Sequence, residues 1–182
     1  VVGVVSGLSI VGTLGFSGAL TKRISEREEQ EQFVAAGAVL VGGLFVVATL
    51  GLLVARPYVR DYVGYPATEY VIAILFVTLA FTFVTSLLSG VHLVHVTGPL
   101  STLKTGGRSL LQIGALVAGF EIVGLFVGHV AAFAIAVVVG GVVAARRLDG
   151  IARPKKRHFR SLLDYAKYSW LGSLKSRTFG WM

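Results

Sequence analysis

The sequence predicts an all-α fold, a polytopic membrane helix bundle of about five transmembrane helices plus the start of a sixth. Three observations predict it. Hydrophobic residues make up 54% of the 182 residues and charged residues only 14%, with a mean hydropathy of +0.78, outside the range of ordinary soluble domains. Charge is gathered in short connections between apolar runs long enough to cross a bilayer. The third observation is the stretch Ser109–Arg147, with 37 residues between Arg108 and Arg146 (109 to 145) in which only Glu121 and His129 can ionise. As one straight helix it would run about 56 Å, nearly twice the hydrocarbon core of a bilayer. It therefore reads as a hairpin of two short spans broken at Gly128-His129. Glu121 then lies well inside the apolar run, where a carboxylate is expensive unless it faces protein or water.

The first span is Val1–Leu20. Its hydroxyls Ser6, Ser9, Thr13 and Ser17 recur at i, i+3, i+7 and i+11, a strip roughly 80° wide that belongs against other helices or a wet cavity. Thr21–Gln32 alternates Lys22, Arg23 and Arg27 with Glu26, Glu28, Glu29 and Glu31 and reads as a solvated surface helix. Phe33–Ala55 is an uncharged second span rich in glycine, as membrane helices in close contact often are. Arg56-Pro57-Tyr58 to Tyr65-Pro66 marks a loop with interfacial tyrosines.

Ala67–Val94 is the third span. Thr78, Thr82, Thr85, Ser89 and His92 fall at i, i+4, i+7, i+11 and i+14, again a strip roughly 80° wide, and His95 extends its polar end. Two such stripes imply a polar interior within the bundle. Val96–Gln112, with Gly98-Pro99, Gly106-Gly107, Lys104 and Arg108, reads as a loop. The fourth and fifth spans are Leu110–Val127 and His129–Ala145, with Arg146 and Arg147 snorkelling at the end. Arg146–Arg160 carries seven Lys/Arg and suits anionic lipid head groups. The final stretch, Ser161–Met182, mixes tyrosine and tryptophan with Lys167, Lys175 and Arg177, in the manner of an interfacial helix or a further span beginning.

Cysteine is absent, which excludes disulfide frameworks and thiolate metal sites. The net charge of +8 sits between apolar runs, so it reports membrane topology and not nucleic acid. Connections 21–32, 96–108 and 146–160 hold 12 Lys/Arg and the opposite side 2, which places the first group in the cytoplasm.

Two stretches carry a family resemblance. GLSIVGTLGFSGALTKRISEREEQEQF resembles the second span and following loop of polysaccharide flippases, and LLDYAKYSWLGSLKSRTFGWM resembles the segment that opens their second half, particularly in archaea. The family is the oligosaccharide (Wzx-type) flippases of the multidrug/oligosaccharidyl-lipid/polysaccharide exporter superfamily. The resemblance implies spans two to six of a first lobe over residues 1–147, a basic cytoplasmic linker over 148–163, and the start of a second lobe over 164–182. It implies no enzyme chemistry. A lipid-diphosphate-linked oligosaccharide would move from the cytoplasmic to the outer leaflet of the plasma membrane by alternating access, with membrane lipids as the surroundings.

Lys175 and Arg177 become candidate cavity cations, and the two Ser/Thr stripes candidate glycan-facing walls. Glu121, with His92 and His95, becomes a candidate coupling or structural ionisable group. No cofactor or metal is implied, H+ or Na+ being the coupling ions to consider. The rival readings are a drug/cation antiporter of the same superfamily and, in other classes, a membrane enzyme or a scaffold of lipid-sugar metabolism. The five spans so drawn hold no internal Lys or Arg, so cationic lining is expected only from span ends.

Overall fold

The computed structural model describes residues 16–26, 28–63, 68–148, 150 and 152–179, and among them it is built from helices alone. In chain order these are α1 (Phe16–Ser25), α2 (Gln30–Val54), α3 (Arg56–Val63), α4 (Thr68–Gly90), α5 (Val94–Val117), α6 (Glu121–Ala145) and α7 (Lys156–Phe179). Helices α2, α4 and α6 are long and apolar enough to cross a membrane. At about 1.5 Å per residue each runs roughly 35–38 Å, more than the ~30 Å hydrocarbon core.

α4 is the centre of the bundle, in contact with α1, α2, α5 and α6. One buried cluster, around Leu20, Ile24, Phe33, Leu87, Leu88 and Leu162, joins α1, α2, α4 and α7; a second, around Leu52, Val71, Ile74 and Leu75, closes the opposite end. In lipid such contacts rest on close packing more than on the exclusion of water. Gly140 shows the closeness: a Cβ there would stand 2.6 Å from Val84 and 2.7 Å from Leu100. Large apolar side chains remain exposed along α2, α5 and α6, among them Val47, Leu50, Val54, Leu110, Val117 and Val138. A water-soluble domain does not leave so much apolar surface bare, whereas a lipid-facing wall requires it.

The hairpin within 109–145 is present, but its turn is elsewhere. α6 runs unbroken through Gly128 and His129, and the chain reverses at Ala118–Phe120. There Gly119, at φ +81°, is the left-handed residue of a Schellman turn: its N–H donates to Leu116 O and the Phe120 N–H to Ala115 O. Gly128 serves contact instead, since a Cβ there would stand 3.1 Å from Gln112 N. Residues 96–112, expected as a loop, form most of α5. The loop before it shrinks to another Schellman turn, with His92 at φ +62° and the Leu93 N–H donating to Leu88 O at 2.7 Å.

α5 and α6 lie antiparallel in a constant register. Ala115 faces Gly124, Gln112 faces Gly128, Gly107 faces Ala132 and Leu100 faces Gly140. The Gln112 amide donates across the pair to Leu125 O at 2.9 Å. α5 therefore traverses the same slab as α6, although its own sequence is far more polar.

Candidate functional site

The polar face of α5 is a feature a lipid-exposed helix would not carry. Thr97, Ser101, Lys104 and Arg108 stand at i, i+4, i+7 and i+11, within roughly 60° of one another around the helix. Thr97 and Ser101 form one wall of an open cleft of about 590 Å³. α1 supplies Ser17, Thr21 and Ser25, and α4 supplies Phe81, Thr85, Ser86 and Ser89. The hydroxyl protons are largely committed within the protein. Thr21 donates to Ser86 O, Thr85 to Phe81 O and Thr82 O, Ser86 to Thr82 O, and Thr97 to Val94 O. Their lone pairs are what the cleft receives, a wall of acceptors for a guest rich in O–H groups.

Lys104 and Arg108 follow deeper along the same face. The Lys104 ammonium lies 4.5 Å from the centre of the Phe81 ring, which lines the cleft, and 5.2 Å from that of Phe133. These are cation–π distances. Arg108 has a buried Nε without a hydrogen-bond partner. His129, 7% exposed on α6, stacks on Phe133 at 4.6 Å, and its Nε2 is likewise unpartnered. Among the described residues neither Lys104 nor Arg108 meets a carboxylate; the ion pairs are Arg23–Glu26, Arg56–Glu69, Arg157–Glu29, His158–Glu29, Arg160–Asp164 and Lys167–Asp164. No group of acidic and histidine residues among them is arranged to hold a metal ion.

The other cationic cluster is closed. His158, 1% exposed, accepts a hydrogen bond at Nδ1 from the Lys155 N–H at 2.9 Å. Its proton therefore sits on Nε2, 2.8 Å from Glu29 Oε2. Arg157 pairs with the other oxygen of Glu29. The hydrogen bond from His158, then the nearby Arg157 guanidinium, hold the Glu29 carboxyl below its ordinary value. Lys22 covers the Tyr165 ring at 4.7 Å, so α7 is tied to the α1–α2 corner at two points.

Of the residues expected from sequence, Ser17, Thr85 and Ser89 do meet in the cleft. Thr78 and Thr82 lie deeper along α4, joined by a Thr82 hydroxyl to Thr78 O hydrogen bond. Ser6, Ser9 and Thr13 lie outside the described residues. Lys175 and Arg177 fall in the last turns of α7, with side chains outside the described set. Glu121 is not deep in a span: it is the first residue of α6, exposed, at φ +47° beside the turn. His92 and His95 are exposed at the opposite end of the bundle. Lys104 and Arg108, read as loop residues, were the miss, and span interiors free of Lys and Arg are corrected with them. The signal was in the same i, i+4, i+7, i+11 spacing that marks α4, masked by two Gly-containing pairs.

Spanning helices around a hydroxyl-lined cleft, with two cations at membrane depth, define a multi-pass α-helical membrane protein with a polar interior. The chain belongs to the polysaccharide biosynthesis protein family, whose profile matches residues 1–179. Two curated relatives come from the archaeon Haloferax volcanii. One, named "Probable flippase AglR", is 25% identical over 175 residues, which cover 94% of this chain and 36% of the relative. The other, named "Probable low-salt glycan biosynthesis flippase Agl15", is 24% identical over 179 residues, covering 96% of this chain and 36% of the relative. The chain thus spans about a third of the length of these relatives. No solved structure matches it.

Proposed function

We propose that this chain supplies most of the first lobe, and the opening of the second, of a flippase that carries a lipid-diphosphate-linked oligosaccharide from the cytoplasmic to the outer leaflet of the plasma membrane by alternating access. The family and the flippase names of both relatives support a transporter over an enzyme or a scaffold. The observation that carries the substrate class is the pair Lys104 and Arg108, without a carboxylate partner beside a cleft of hydroxyl acceptors. A Lys or Arg at the centre of a membrane helix costs about 2.5–3.5 kcal/mol on insertion scales. Two such residues without an acidic partner suit a site that an anion completes, and a diphosphate forms the short, charge-assisted hydrogen bonds both residues favour. The hydroxyl wall suits the sugars that follow. An organic cation would be repelled by the same pair, which disfavours the antiporter reading.

In this reading the turns at 26–29, 91–93 and 146–155 face the cytoplasm. With Lys104 and Arg108 moved into a span, residues 21–32 and 146–160 carry ten Lys/Arg on that side against Arg56 and Arg60 on the other. The basic run Arg146–Arg160 would then lie against anionic head groups, and α7 would open the second lobe. Ser17, Thr85 and Ser89, with Thr21 and Ser101, line the substrate path; Lys175 and Arg177 extend its cationic lining. H+ or Na+ is the coupling ion, and no cofactor takes part.

The test uses the full-length protein in proteoliposomes, scoring which leaflet holds a lipid-linked oligosaccharide. The double variant Lys104→Gln, Arg108→Gln is expected to lose at least tenfold in translocation rate while inserting normally. Translocation at the unaltered rate would overturn the reading. In the host, loss of the full-length protein should leave the lipid-linked oligosaccharide accumulated on the cytoplasmic leaflet.

A further inference from the structure

Lys104 and Arg108 come from one helix, so a diphosphate held by them alone would be gripped from one side. The facing helix offers a third group. On α6, His129, Phe133, Ala136 and Gly140 stand at i, i+4, i+7 and i+11, are all buried, and form the face that packs against α4 and α5. Phe133 meets Phe81 of α4 edge-on at 5.7 Å, and Gly140 closes on Val84 of α4 and Leu100 of α5. His129 is thus turned into the seam between three helices.

The antiparallel register sets its level there. The Lys104 ammonium lies 5.2 Å from the Phe133 ring centre. Four residues on along α5 is Arg108, and four residues back along α6 is His129, about 6 Å further along the same seam in each case. Of the charged groups around it, Arg108 and then Lys104 bear on the imidazole. Just beyond, the seam is closed: Gln112 donates to Leu125 O, and Phe126 stacks on Tyr70 of α4 at 4.9 Å.

The groups so assembled have unmet needs. Arg108 Nε and His129 Nε2 are both buried without a hydrogen-bond partner, and among the described residues no carboxylate pairs with either of them or with Lys104. The stack of His129 on Phe133, at 4.6 Å and 13° from parallel, fixes the plane of the imidazole without engaging its nitrogens. A buried polar atom left unpaired is a cost that a hydrogen-bonding guest removes. Ammonium and guanidinium only donate, and an imidazole nitrogen carrying the ring proton donates as well. One oxyanion with several acceptor oxygens satisfies all three. We infer that His129 is a third ligand of the anion site, its Nε2–H donating to a phosphate oxygen of the diphosphate that Lys104 and Arg108 hold from α5. This inference rests on the flippase reading and adds to it a donor from a second helix.

Phospholipid head groups share the oxyanion chemistry, so two probes are compared: a polyisoprenyl diphosphate and phosphatidylglycerol, each added to full-length protein in phosphatidylcholine vesicles. In protein labelled with 15N-histidine, the His129 ring signal, assigned by its absence from His129→Gln, is expected to move with the diphosphate and to stay in place with phosphatidylglycerol. His129→Phe keeps a flat ring against Phe133 and removes the donor; it should weaken diphosphate binding about fivefold or more. His129→Gln carries an amide N–H close to the position of Nε2 and should restore affinity to within about twofold. Both variants are checked for native helicity and ligand-free melting temperature.

A ring signal that stays in place while the diphosphate binds would overturn the inference, as would full-strength binding by His129→Phe. Equal weakening in His129→Gln and His129→Phe would overturn it too, since that is the mark of a packing residue. An equal movement with phosphatidylglycerol would overturn the assignment to the lipid-linked diphosphate. If binding depends on Lys104 and Arg108 but not on His129, the third ligand fails and the flippase reading stands. If the diphosphate does not bind the unaltered protein at all, both fail.

Discussion

The molecule holds two pairs of basic residues in opposite situations. Arg157 and His158, at the start of α7, both meet Glu29, and His158 is further fixed by the Lys155 N–H. Lys104 and Arg108, one turn apart on α5, repel each other, Lys104 over the Phe81 and Phe133 rings and Arg108 with an unpartnered Nε, and neither meets a carboxylate among the described residues. The first pair is finished within the protein and holds one helix against two others. The second is incomplete, and at membrane depth an incomplete cationic site is maintained against a cost. Paired charge ties helices together here, and in the proposed function the unpaired charge is where the guest binds.

The sharpest way to break the contrast is to give the second pair what the first has. Ser101→Glu puts a carboxylate three residues before Lys104 on the same face. Translocation should fall by more than tenfold with thermal stability unchanged or raised; retained transport would sever the link between unpaired charge and function. Removing the cations singly should do less. Lys104→Gln or Arg108→Gln alone is expected to lower the rate about tenfold, about 1.4 kcal/mol of interaction, while membrane insertion improves because an intramembrane charge is gone.

The closed pair should respond in the opposite way. Glu29→Gln is expected to leave substrate binding intact but to speed proteolysis within 146–155, as α7 loses its tie to the α1–α2 corner. The same tie predicts a pH dependence. Because the folded carboxyl lies below its ordinary value of 4.5, its contribution is full above that pH and is lost as pH falls through the depressed folded value. The carboxylate's share of the protection of 146–155 should therefore persist below the ordinary carboxylate range and be lost only under stronger acid. Smaller still is Thr21→Val, which removes the 3.2 Å hydrogen bond to Ser86 O and should cost about 1 kcal/mol in thermal unfolding. Glu121→Gln, at the exposed start of α6, should change neither rate nor stability.

Length and hydropathy were enough to read α2 and α4 from the sequence, because an uncharged run of more than 20 residues has few alternatives in lipid. The hairpin in 109–145 was legible as a hairpin but not at its turn. Glycine serves both as a left-handed turn residue, as at Gly119, and as a contact point, as at Gly128, and the letter is the same. The hairpin survived the error, since a turn moved ten residues along still leaves two antiparallel helices. α5 was hidden by its own polar face: Thr97, Ser101, Lys104 and Arg108 lower its hydropathy below that of a span, and only the register against α6 shows that the two run side by side. The Glu29–His158 contact joins residues 129 apart, beyond any local pattern.

The central claim is that Lys104 and Arg108 form an anion site completed by a diphosphate, and ligand-induced stabilisation tests it most directly. Purified full-length protein should melt at a higher temperature in the presence of a polyisoprenyl diphosphate, by an amount that grows with ligand concentration. In the Lys104→Gln, Arg108→Gln variant that rise should vanish while the ligand-free melting temperature holds. An undiminished rise in the double variant would contradict the account.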